Sequence, residues 1–200
     1  MTMIDLSPDL RDYSLICTIR MDIWTHIKFD RATRANREKS ALWMLDHLER
    51  LAELLNALGQ QDKDRSVKAA YILEMMALKN FKAIAHVLPD LALQLTHFKS
   101  DSSQRALLHM MSLWLAPLTV TKSLDKKTRE ASTEHCFDKL IGAPEAAIAV
   151  QAHAMSCLYY LSRVNSWIEE PLRAILIKNM PQQSPGFRAR ARHILANLNE

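Results

Sequence analysis

The sequence predicts an all-α protein built as a stack of helix pairs, and three observations predict it. Good helix formers dominate (Leu, Ala, Met, Lys and Arg), while only 3 glycines occur among 200 residues. Apolar residues recur every three or four positions through most of the chain. A two-helix unit over residues 143–180 has weaker echoes upstream and a half-copy at the end of the chain.

The unit at 143–180 justifies the prediction best. Pro144 suits a first helical position, where its missing N–H costs nothing, and Glu145 places a carboxylate in the first turn. Two apolar stripes follow: Ala147, Val150, Ala154, Cys157, Leu158 and Leu161, then Ile148, Ala152, Met155 and Tyr159. A narrow polar face is left to Gln151, His153, Ser156, Tyr160 and Ser162. A helix apolar over most of its circumference is sandwiched between neighbours. Ser166 and Glu169 fit a capping box for the second helix, which carries Ile168, Leu172, Ile175 and Ile177 or Met180 inward. Pro171 is expected to bend that helix near its start. The linker Arg163–Asn165 is short enough to force antiparallel packing.

The other elements follow in order. A first helix from Pro8 to about Lys28 is expected to cover the open end of the stack. Residues 31–58 read as one long helix with leucines at helical spacing, ended by Gly59. Ser66 to Lys79 reads as a helix with little polar face. Its partner at 81–98 carries Ile84, Leu88, Leu91, Leu95 and Phe98 in one stripe, with Pro89 inside it. Gln104–Ala116 is a further inner helix. Residues 118–125 are the least regular, and Asp125–Leu140 resumes a helix that stops at Gly142. Ser184, Pro185 and Gly186 start a last helix with Phe187, Ala191, Ile194, Leu195 and Leu198 inward.

Four inner helices begin alike, at Lys68-Ala69, Arg105-Ala106, Gln151-Ala152 and Arg188-Ala189. These starts lie 37, 46 and 37 residues apart, the size of two-helix repeats. A non-repetitive helical bundle is the plainer alternative. With the internal Pro89 and Pro171 and the segment Ser184–Arg192, the chain resembles the HEAT-like repeat families and is similar to small bacterial helical-repeat proteins. That resemblance implies a right-handed α-α superhelix of the HEAT/armadillo type with about four helix pairs. Residues 1–200 would form a single helical-repeat domain, with capping helices at 1–60 and repeats at 61–200. It also implies a concave face that binds a protein or nucleic-acid partner.

The net charge of +4 is mild for a dedicated nucleic-acid binder. Cys17, Cys136 and Cys157 are odd in number and far apart, as in the reduced core of a cytoplasmic protein. No uncharged apolar run is long enough for a membrane span, and the acidic N-terminus lacks the apolar core of a signal peptide. The eight histidines have no metal-ligand spacing, so scattered surface or partly buried rings are expected. There is no phosphate-cradling glycine loop or nucleophile elbow. His135 and Cys136 are adjacent, and so point about 100° apart on a helix.

No catalytic, cofactor or metal site is therefore expected. Two basic clusters remain, Lys28, Arg31, Arg34, Arg37 and Lys39, and Arg188, Arg190, Arg192 and His193, whose arginines are candidate partner or phosphate contacts. The expected function is a non-catalytic scaffold for a protein partner. The alternative is a nucleic-acid-binding protein related to HEAT-like DNA glycosylases, with Trp43, Trp114 and Trp167 as aromatic contacts. Against that alternative, the clusters also fit solvated helix faces, and Trp43 and Trp114 also fit core positions.

Overall fold

A computed structural model describes residues 22–60, 62–98, 100–142 and 147–198. Every regular element among them is helical. Most of the expected first helix, Cys17, and the helix start at Pro144 and Glu145 lie outside the described residues. The chain divides into two compact units, the first ending at Asp90 with His97–Ala106 added, the second comprising Leu91–Thr96 and the chain from Leu107.

In the first unit, α1 (Trp24–Ile27), α2 (Arg34–Asp46), α3 (Leu51–Leu58), α4 (Lys63–Lys79) and α5 (Phe81–Ile84) follow one another. Helix α4 packs against α2, α3 and α5. It buries Ala69, Ala70, Ile72, Leu73 and Met76 completely, and Met44 of α2 and Leu54 of α3 are fully buried as well. Helix α6 (Leu88–Leu93) and α7 (Asp101–Leu115) each run from the first unit into the second.

The second unit continues with α8 (Leu118–Ser123), α9 (Lys126–Ile141), α10 (Ile148–Ser162), α11 (Glu169–Asn179) and α12 (Pro185–Asn197). Helix α10 packs against α9, α11 and α12, which makes it the centre of this unit. Val150, Ala154, Met155, Leu158 and Leu161 are fully buried, so the sandwiched helix expected here is present. The linker Arg163–Asn165 falls where expected. Asp125 starts α9 by accepting the Thr128 N–H at 2.9 Å, and Ser184 starts α12 by accepting the Phe187 N–H at 3.2 Å.

Several expectations fail for local reasons. The long helix at 31–58 breaks at His47 (φ −132°, ψ 51°). The His47 ring Nδ1 lies 2.7 Å from the Trp43 carbonyl, while the His47 backbone N–H turns to Met44 at 3.1 Å. Gly59 has φ −89°, so no left-handed cap ends the segment. The stripe at 81–98 is buried as expected, yet it is delivered by short helices with 3₁₀ turns between them. Pro89 then falls at the second residue of α6, where no helical N–H is lost.

The capping box at Ser166 and Glu169 does not form. A 3₁₀ turn occupies Ser166–Ile168, and neither it nor α11 has a side-chain cap. Pro171 therefore lies in the first turn of α11 and is harmless. Residues 118–123, expected to be irregular, form α8. The polar face assigned to α10 is partly internal, because Gln151, Ser156 and Ser162 are buried. The two hydroxyls can go inside because each donates to a carbonyl of its own helix, Ala152 at 3.1 Å and Tyr159 at 2.8 Å.

Candidate partner-binding surface

The first basic cluster is spread over the start of α2. Arg31 is exposed in the preceding bend, where its carbonyl accepts from the Asn36 side chain at 2.9 Å. Arg34 is the exposed first residue of α2. Arg37, nearly one turn on, faces inward, 3.8 Å from the carboxylate of Glu74 on α4.

Glu74 is only 3% exposed. Its main partner is Arg105 in α7, whose two terminal nitrogens each donate to one carboxylate oxygen at 2.8 Å. This fork-on-fork geometry is the strongest form of the ion pair, and it holds the Arg105 guanidinium above its ordinary pKa. Both guanidinium groups also lie over the Tyr71 ring, 5.2 Å and 5.3 Å from its centroid. A buried carboxylate thus ties three helices of the first unit together. In the same unit, Lys79 donates to Glu38, which holds the Glu38 carboxyl below its usual range.

Trp43, a candidate aromatic contact, is committed inside the unit. Its ring stacks between His26 (4.7 Å) and His47 (4.1 Å). Trp114 is buried, whereas Trp167 is 61% exposed and stacks loosely on Phe137.

The second basic cluster lies on α12. Phe187, Ala191 and Ile194 anchor this helix with their side chains buried. Arg188 is half-buried, and its Nε is enclosed without a hydrogen-bond partner. Arg190 is exposed and lies about 200° further round the helix. Arg192 is exposed too, again turned well away from Arg190. The three arginines therefore do not form one row. Arg190 instead shares its side with His193, one residue short of a turn later.

Arg190 and His193 line an open groove of about 560 Å³ between α10 and α12. Its floor and wall are made of Ile148, Ala149 and Ala152 from α10 and Gly186 and Ala189 from α12. Small residues leave this space open. At the equivalent repeat positions of the first unit, Ala69 and Ala106 are fully buried. Here Ala152 is half-buried and Ala189 is exposed. The Arg190 guanidinium donates to the Ser156 hydroxyl at 3.3 Å. Among the described residues, none of Arg188, Arg190 and Arg192 pairs with a carboxylate.

The groove is not legible in the sequence. Apolar spacing places Ile148 and Ala152 in a stripe between neighbouring helices, whereas in the structure both line the groove. The available signal was the recurrence of alanine at the start of each inner helix, but whether a neighbour covers that alanine is decided by the fold.

His135 and the two described cysteines are buried. His135 is 3% exposed, and burial, with Lys139 nearby, pushes its pKa down to about 4. Cys136 and Cys157 are free and buried, and burial beside Cys136 raises the Cys157 thiol well above its ordinary value. Among the described residues, no cluster of three or more His, Cys, Asp or Glu side chains is placed to hold a metal ion. No helix among them is long and apolar enough to cross a membrane.

Comparison with known proteins agrees with this architecture. A HEAT repeat domain profile matches residues 36–198, most of the chain. No curated protein and no solved structure matches. With inner helices that repeat in sequence and pack as described, the chain belongs to the HEAT repeat domain family.

Proposed function

We propose that this chain is a non-catalytic scaffold that binds a protein partner. HEAT repeats generally serve as protein-interaction scaffolds. The observation that carries the reading here is the open groove between α10 and α12. Helix surfaces of this kind hold side chains in fixed register, and an alanine and glycine floor lets a partner approach closely. The buried imidazole and thiols of the second unit serve packing in this reading.

The nucleic-acid reading draws on the unpaired arginines of α12. Phosphate binding gains from several cations along one track. Arg190 faces away from Arg188 and Arg192, and Arg188 is half-buried, so the three arginines do not line one track, which favours the protein partner.

The test is affinity capture with the wild-type chain and with Ala189→Trp, which fills the groove at an exposed position. A partner should be retained by the wild type and lost with the variant, while both unfold at the same denaturant concentration. If nothing is retained beyond what Ala189→Trp retains, the scaffold reading at this groove is wrong.

A further inference from the structure

We infer that the groove between α10 and α12 takes an acidic peptide segment, with an apolar side chain on the alanine floor and a carboxylate at Arg190. The inference rests on the scaffold reading and adds the chemistry of the partner.

Charge complementarity carries it. Helix α12 has three arginines and no acidic residue over Pro185–Asn197. Arg190 stands at the lip of the groove, exposed, with a neutral hydroxyl 3.3 Å away as the acceptor the structure gives it. A carboxylate accepts two parallel N–H donors from a guanidinium, which a hydroxyl cannot do. His193, close to one turn further on, adds an imidazole on the same side. Behind this polar lip the floor is apolar: Ala152 and Ala189, with Ile148 47% exposed at the wall. A ligand that matches must therefore carry both an apolar group and an anion a few ångströms apart, as an acidic peptide does.

A nucleic-acid strand matches less well. It presents phosphates at regular intervals and gains from stacked bases. The groove has no Phe, Tyr or Trp in its lining, and its lip carries one guanidinium.

The experiment pans a random peptide library against the full chain after depletion against Arg190→Glu. Enriched peptides are then labelled and titrated against wild type, Arg190→Glu and Ala189→Trp, with labelled duplex DNA as a parallel probe. The expected result is enrichment of sequences pairing Asp or Glu with an apolar residue. Their binding should weaken about tenfold or more with Arg190→Glu and weaken with added salt. Arg192→Glu, on another side of the same helix, should weaken them far less.

Basic or neutral winners, no enrichment, or equal affinity for Arg190→Glu would each overturn the inference. So would salt-sensitive DNA binding lost with Arg190→Glu in the absence of peptide binding, which would assign the groove to phosphate. The affinity capture keeps the two readings apart. A partner lost with Ala189→Trp but held equally by Arg190→Glu leaves the scaffold standing and removes the acidic segment.

Discussion

In the first unit several arginines and lysines meet carboxylates; in the second Arg163 and Arg173 meet carbonyls and Arg190 meets a hydroxyl. Arg105 and Arg37 converge on Glu74, Lys79 reaches Glu38, Arg50 pairs with Glu53, and Arg65 lies near Asp22 and Asp62. In the second unit Arg163 donates to the Leu115 and Ala116 carbonyls at 2.8 Å and 2.7 Å, at the C-terminal end of α7. Arg173 donates to the Leu198 carbonyl at 3.2 Å. Lys126–Glu130 is the ion pair that the described residues of this unit hold, and both side chains are largely exposed.

The difference teaches what a basic residue is for in each place. A guanidinium on a carboxylate joins helices and leaves little net field outside. A guanidinium on a neutral acceptor satisfies donors while keeping its charge available to a partner. Arginine thus serves cohesion in the first unit and, in the proposed reading, recognition in the second.

The largest effect should come from breaking the network of the first unit. Glu74→Ala leaves Arg37 and Arg105 facing each other over Tyr71 and should cost about 3 kcal/mol, read from urea unfolding. If the cost is under about 1 kcal/mol, the network is behaving like an exposed surface pair, and the contrast between the units fails.

Next comes the pH dependence of the second unit, which holds His135 neutral. The unfolded imidazole takes up a proton near pH 6.5, and the folded one only at about 4. The unfolded state therefore binds more protons in between, so stability is full above that window and falls as the pH drops through it. Roughly 2 kcal/mol should be gone by about pH 5. His135→Gln should remove that share of the slope, measured as the difference between the two urea curves across the window.

A comparable or smaller cost is expected for Ala154→Leu, about 1–3 kcal/mol, because Ala154 is fully buried at the centre of α10. An unchanged denaturation midpoint would mean that α10 is not tightly sandwiched at Ala154. The smallest effect should be that of Lys126→Ala. Its side chain is 82% exposed and that of Glu130 is 67% exposed, so the loss should stay below about 0.5 kcal/mol. A larger loss would show that the second unit also relies on ion pairs.

Local signals in the chain were enough for much of the helical layout. Apolar spacing located α4, α7, α9, α10 and α12, and residues such as Leu88, Leu91, Val150 and Leu158 face inward as their periodicity requires. Helix starts with a strong capping residue, at Asp125 and Ser184, were also legible. Starts and breaks set by competition were not. The ring of His47 near the Trp43 carbonyl interrupts a good leucine pattern, and a 3₁₀ turn displaces the box at Ser166. Of the candidate site, Arg190 was legible as a basic residue, but its separation from Arg188 and Arg192 follows only once all three are placed on a helix. The groove beside it was not legible at all.

By itself the sequence determined the all-helical class, the repeat and the buried stripes, because these depend on the identity of residues a turn or a repeat apart. Tertiary structure alone decided which charges cancel and which small residues stay open. Glu74 meets Arg37 and Arg105 from positions 37 and 31 residues away. Ala69 and Ala189 occupy the same place in the repeat, yet one is covered and the other is not. Coulomb pairing and burial both depend on distance in space, and one-dimensional spacing fixes that distance only within a single helix.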